Sequence, residues 1–148
     1  QTHLSQKSEL ERLMVSKNEM ITFLQSEFPK AQIVIEDFTD NSVVIRHQVR
    51  QEDLRPGGTV SGPTMMALAD TALYIALLRQ IGLVSLAVTT SLNFNFLRKP
   101  VADLDLLAEC KLLKLGKSLA VGEVGICSEG HEVPVAHATG TYSIPPRH

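Results

Sequence analysis

Asp70 is the only acidic residue between Asp53 and Asp103, and it falls among Leu68, Ala69, Ala72 and Leu73. A lone carboxylate in such company is expensive to bury unless something pairs it or uses it. It can activate a water or attack an electrophile, and buried carboxylates in clefts tend to mark sites. It can equally be a structural group, satisfied by a hydroxyl or a backbone N–H across an interface. Eight residues earlier, Gly62-Pro63 opens the same apolar stretch. A helix start offers free N–H groups and a partial positive charge, which suit a developing oxyanion. Pro63 has no N–H, so Ser61 and Gly62 are the candidate donors, and glycine permits close approach.

The spacing carries a prediction of its own. Eight residues of helix span about 12 Å, too far for one small reacting group to touch both ends. If both act at one site, Asp70 must meet Gly62 of a neighbouring copy. Two such helices paired antiparallel across a two-fold axis would create two identical sites. The expectation is a homo-oligomer with an inactive monomer.

The elements that position these residues follow from periodicity. Residues 62–81 are apolar around almost the whole circumference, which describes a helix buried on most sides. Pro63 suits its first turn and Gly82 its end. Upstream, residues 5–28 place Leu10, Leu13, Met14, Ile21, Phe23 and Leu24 at helical spacing, predicting one or two amphipathic helices ended by Pro29. Residues 32–38 and 42–49 read as a hairpin, and 50–61, with Pro56, Gly57 and Gly58, as a loop. Further strands are predicted over 86–97, 104–115, 119–127 and 133–144. Short turns favour an antiparallel sheet, and curving it around the central helix covers most of that helix. The sheet edge then needs burial, which a second subunit could supply.

Composition excludes much else. The 148 residues carry a net charge of −2, with 44% apolar and 20% charged residues, so no whole-chain basic field invites nucleic acid or an anionic membrane. No apolar run approaches the roughly 20 residues that span a bilayer, and residues 1–10 are polar, with no secretory core. A cytoplasmic location is expected. Cys110 and Cys127 read as reduced thiols buried in strands. No histidine spacing suggests a metal site, no cofactor is called for, and His47, His131 and His137 read as structural or surface residues.

The order of hairpin, glycine-rich loop, buried helix and antiparallel strands resembles the hotdog fold. Ser61-Gly-Pro-Thr-Met-Met-Ala-Leu-Ala-Asp70, Val88-Thr-Thr-Ser-Leu-Asn-Phe-Asn-Phe-Leu-Arg-Lys-Pro100 and the Leu115-Gly-Lys117 turn, in that order, resemble the PaaI-type acyl-CoA thioesterases. The resemblance covers roughly residues 33–144. It implies an α+β hotdog domain over 31–148, a curved antiparallel sheet wrapped around a central buried helix, with residues 1–30 as an added helical extension, in a dimer or a tetramer built from two dimers.

The resemblance also implies roles. Asp70 would be the general base or nucleophile and the Gly62 N–H the oxyanion donor. Thr89, or its neighbour Thr90, sits where the family often has a hydroxyl near the carboxylate; threonine is equally a good strand residue. Arg98, Lys99, Lys114 and Lys117 flank strand ends where CoA phosphates could bind, Arg98 being favoured by the resemblance. Met65, Met66 and Leu73 fit core packing better than an acyl tunnel.

Three positions depart from the family pattern: Arg55 stands where an Asn or Gln is common, Ser61 replaces the His of His-Gly-Gly, and Pro63 replaces its second Gly. Arg55 could serve as a charged donor, bind a carboxylated acyl group, or pair with a carboxylate in the loop.

Two other functions compete with hydrolysis. A hotdog dehydratase needs a histidine near the loop as partner to the helix carboxylate, and none lies between His47 and His131. A non-catalytic acyl-CoA-binding module fits the lost Asn and His, but gains nothing from a buried carboxylate beside an anionic ligand.

Overall fold

The computed structural model describes residues 14–30, 33–39, 42–83 and 87–146. Its elements run α1 (Lys17–Glu27), β1 (Ile33–Phe38), β2 (Ser42–His47), a single 3-10 turn (Gln51–Asp53), α2 (Gly62–Ile81), β3 (Val88–Phe96), β4 (Leu106–Leu115), β5 (Leu119–Ser128) and β6 (Ala136–Ser143). The six strands form one antiparallel sheet in the order β1-β2-β4-β5-β6-β3. This is the α+β hotdog architecture that the sequence resembles, with an additional helix at the N-terminal end. The part of the predicted N-terminal helix before Met14 lies outside the described residues.

The sheet curves around α2, which lies across β4 and β5 and touches β2, β3 and β6. Strand alternation decides which side chains face it. Along β5, Ala120, Gly122, Val124, Ile126 and Ser128 are buried while the residues between them are half-exposed. Val43, Ile45, Leu106, Ala108, Cys110, Ala136 and Ala138 supply the same face from neighbouring strands. Leu68, Ala69, Ala72, Leu73, Ile75 and Ala76 meet them from the helix.

One contact fixes the helix against the sheet. Gly122 and Gly140 are direct partners on β5 and β6. A Cβ on either would lie 2.6 Å and 2.5 Å, respectively, from the two terminal methyls of Leu73. The missing side chains form a seat into which Leu73 drops, so Leu73 is a core residue; Met65 is buried in the same core, while Met66 is 40% exposed.

Helix α1 is held at both ends. Ser16 and Glu19 form a reciprocal capping box at its start, and at its end the Phe28 N–H donates to the Leu24 carbonyl at 2.8 Å. The preceding Val15 is tied to the last turn of α2: its N–H donates to the Arg79 carbonyl at 3.2 Å, and its own carbonyl accepts from the Arg79 guanidinium. Met20 is fully buried. Both cysteines are free thiols, but only Cys110 is buried; Cys127 faces the outer side of β5 and is half-exposed, against the expectation of two buried side chains. Among the described residues no helix is long and apolar enough to cross a membrane.

Candidate active site

Asp70 sits midway along α2, half-buried, with one oxygen held by two hydroxyls. Thr89 Oγ1 donates to Asp70 Oδ1 at 2.6 Å, and the Tyr142 hydroxyl lies 2.7 Å from the same Oδ1 and 2.9 Å from the Asp70 carbonyl oxygen. Oδ2 is left without a hydrogen-bond partner among the described residues. Thr89 and Tyr142 are register partners across β3 and β6, so one cross-strand pair delivers both donors. Burial pushes the Tyr142 phenol up from its ordinary pKa; its contact with Thr89 pulls it back and the Asp70 hydrogen bond pushes it up again. Tyr142 therefore remains a protonated donor across the working pH range.

A β-bulge separates Thr89 from Thr90. The register on β3 shifts between Thr89 and Ser91, leaving Thr90 as the extra residue, with its hydroxyl on the Thr141 carbonyl at 3.2 Å. The shift puts only Thr89 at the carboxylate. Thr90 does not reach the site.

The carboxylate stands at the wall of a cavity of about 450 Å³. Its lining comes from α1 (Ile21, Leu24, Gln25), from Phe28 and Pro29 beyond it, from Ile33 and Ile35 on β1, and from Tyr74, Val88 and Tyr142. Asp70 is the one charged residue in this lining among the described residues, and no histidine joins it.

The start of α2 is built differently. Ser61 is the N-cap: its Oγ accepts from the Thr64 N–H at 3.3 Å and lies 2.7 Å from the Thr64 hydroxyl. Its own N–H donates to the Asp53 carbonyl at 2.8 Å, so Ser61 is spent as an oxyanion donor, contrary to expectation. Met65 N–H already bonds to the Ser61 carbonyl, and Pro63 has no N–H to offer. Gly62 is what remains. Its Cα is covered by the Phe96 ring, which would lie 3.0 Å from a Cβ there.

The remaining predicted residues are dispersed. Arg55 is exposed at the loop tip, outside the cavity lining, with its main chain in a turn to Gly58 and Thr59. The loop carboxylate nearest to it in sequence is Asp53, which accepts instead from His47 Nε2 at 2.8 Å and the Arg50 N–H at 2.9 Å. Arg98 donates to the Pro134 carbonyl; Lys99, Lys114 and Lys117 are exposed. Arg98 and Lys99 follow Phe96, whereas Lys117 precedes Leu119, which shares the partner Ser143 with Val88. These cations thus lie at opposite ends of a strand roughly 30 Å long, and one chain cannot clamp a single phosphate group with both.

Tyr142, Tyr74 and the α1 residues were not among the candidates. A buried tyrosine in an alternating strand was the available signal for Tyr142, but nothing in the sequence aims it at a residue 72 positions earlier.

A curved antiparallel sheet wrapped around one buried helix is the hotdog fold. The thioesterase superfamily model matches residues 57–135, more than half of the chain. A solved structure of a candidate thioesterase from Silicibacter sp. TM1040 is 46% identical, with a TM-score of 0.84 over 90% of this chain and 94% of that one. A variant of the phenylacetic acid degradation protein PaaI from Thermus thermophilus is 25% identical (TM-score 0.68, 84% and 99% covered). A hypothetical thioesterase from Streptococcus pneumoniae, solved with coenzyme A, shares the fold at 22% identity (TM-score 0.72, 90% and 99% covered). No curated protein matches the sequence. The chain belongs to the thioesterase superfamily, with PaaI-type proteins among its structural neighbours, and thioester hydrolysis is its activity.

Proposed function

We propose that the chain hydrolyses acyl-CoA thioesters at a site shared between two subunits, with Asp70 as general base. The observation that carries this reading is the hydroxyl pair on Asp70 Oδ1. Thr89 and Tyr142 orient the carboxylate and leave Oδ2 to take a proton from water. The resulting hydroxide adds to the thioester carbon, and the carbonyl oxygen becomes an oxyanion. Collapse breaks the C–S bond, the acid is released, and the proton on Asp70 passes to the departing CoA thiolate. An N–H must face the oxyanion in that step.

In this reading the donor is Gly62 of the partner subunit, because Gly62 and Asp70 of one helix are about 12 Å apart. Support for the pairing comes from β3, a nine-residue edge strand with β6 as its one strand neighbour among the described residues, and with Val88, Phe96 and Leu97 each at least half exposed. A long open edge of this kind invites a second copy. A coenzyme A-bound structure with the same fold supports CoA as the thiol carrier. Arg98, Lys99 and Lys117 are the cations proposed for its phosphates. An antiparallel dimer would bring Lys117 of one subunit toward Arg98 of the other, which removes the conflict of distance within one chain.

Thiol release from an acyl-CoA panel by wild type and Asp70→Asn tests the proposal. The expected result is turnover by the wild type and a loss of about 10³-fold in the variant, with CoA affinity retained. Near-full turnover by Asp70→Asn would remove the carboxylate from the mechanism. Single turnover in ¹⁸O-water should place the label in the acid product; label incorporated into Asp70 would instead mean direct attack by the carboxylate.

A further inference from the structure

The cavity beside Asp70 has a wall that the family match does not include. The superfamily model covers residues 57–135, whereas Ile21, Leu24, Gln25, Phe28, Ile33 and Ile35, all earlier in the chain, line the cavity. We propose, resting on the hydrolytic reading above, that α1 is the element that selects the acyl group, and that the preferred acyl group is bulky, apolar and uncharged.

Three observations carry this. First, the cavity and the reacting group are continuous: Asp70, Thr89 and Tyr142 belong to the same lining as Leu24 and Phe28. A carbonyl placed at Asp70 therefore directs its substituent toward α1. Second, the described lining has no cation to meet a carboxylated acyl chain, and Arg55 lies outside it. A second anion beside Asp70 would be desolvated without a partner.

Third, the wall is anchored. Met20 is fully buried, the capping box closes the start of α1, and Val15 is bonded to Arg79 at the end of α2. Tyr74 carries the wall across to the site, with ring centroids 6.5 Å from Phe23, 6.0 Å from Phe28 and 6.2 Å from Tyr142. A cavity of about 450 Å³ falls within the roughly 300–1,000 Å³ of small-molecule sites, more room than an acetyl group fills.

Leu24 is the residue to vary, because it lines the cavity from α1 and takes no part in the hydrogen bonds that hold Asp70. Leu24→Trp and Leu24→Ala would be assayed with acetyl-, hexanoyl-, dodecanoyl-, phenylacetyl- and succinyl-CoA. The wild type is expected to favour the dodecanoyl or phenylacetyl thioester and to disfavour succinyl. Leu24→Trp should lower kcat/KM for the preferred substrate about 10-fold or more while acetyl-CoA changes little, a size typical of pocket-filling discrimination. Leu24→Ala, which needs no extra room, should shift preference the other way.

Equal effects of both variants on every substrate, or a wild type that prefers succinyl-CoA, would overturn the assignment. If the wild type hydrolyses none of the panel, calorimetry of dodecanoyl-CoA against free CoA takes over. An acyl-dependent gain in affinity that Leu24→Trp abolishes would support the wall although hydrolysis fails; no such gain would overturn it.

Discussion

The middle and the start of α2 differ in how much of their surroundings the same chain supplies. Around Asp70 everything is present: two hydroxyls from β3 and β6, an aromatic floor from Tyr74, and an apolar wall from α1. Around Gly62 the chain spends every other backbone donor on itself and leaves one N–H, at a glycine whose Cα is covered by the exposed Phe96 ring. A base needs orientation, which local packing can give. An oxyanion donor needs only to project from a rigid terminus toward a substrate held elsewhere. The complete end would therefore bind and activate, and the sparse end would complete a neighbour.

The largest effect should come from separating the ends by mutation. Gly62→Pro removes the N–H; Ser61 at φ −69° and ψ 148° already has the extended backbone that precedes proline, and the exposed Phe96 ring, 3.0 Å from a Cβ at this position, must shift slightly to admit it. Gly62→Pro and Asp70→Asn homo-oligomers should each lose about 10²-fold or more. Mixing the two after co-refolding should restore about a quarter of wild-type activity, because half of randomly paired dimers carry one intact site of two. No recovery would break the contrast between the two ends and place the whole site in one subunit.

A smaller effect should follow from loosening the base. Tyr142→Phe removes a hydroxyl from a charged acceptor, a bond of about 1.5–3 kcal/mol, and should reduce kcat by about 10- to 100-fold with little change in KM. Thr89→Val should cost less, and the double variant less than the sum, since both hydroxyls serve one oxygen. Steady-state kinetics on the four proteins measures this. A KM effect without a kcat effect would make the pair substrate contacts rather than positioning groups.

Stability effects come next. Gly140→Ala pushes a methyl into Leu73 and should lower stability by about 1–3 kcal/mol in denaturant titrations. Adding Leu73→Ala should cost less than its full cavity penalty, because each change makes room for the other. Additive losses would show that the glycine seat does not fix the helix.

The last effect appears only at alkaline pH. Burial holds the Cys110 thiol up at about 12 in the native state, against 9.0 for an ordinary thiol. The unfolded chain then loses this proton first, so native stability is full below pH 9 and declines from pH 9 toward 12, by up to about 1.4 kcal/mol per pH unit for this group. Cys110→Ala should flatten that alkaline decline. In native protein Cys127 should react with a thiol reagent while Cys110 stays silent.

Much of this site is legible in the sequence, and the rest is not for identifiable reasons. Asp70 stands out because a carboxylate in an apolar helix is costly, and Gly62-Pro63 because it suits a helix start. Thr89 and Thr90 are indistinguishable until the bulge removes one from the register. The loss of Ser61 as a donor depends on Asp53, whose carbonyl reaches it across the loop. Arg98 and Lys117 look like companions along the chain, yet strand order sets them at opposite ends of the sheet. The amphipathic pattern of α1 shows that it has an apolar face, not that part of that face borders a cavity.

The glycine seat has a consequence for how this site can change over time. Leu73 lies three residues after Asp70, and Gly140 two before Tyr142, so the seat indexes the helix along the strands much as a detent indexes a dial. The alignment of Asp70 with Tyr142 is thereby inherited from three positions packed in the core. A lineage can exchange them only together, and a redesign that leaves the visible site untouched but refills the seat would turn the dial away from Tyr142.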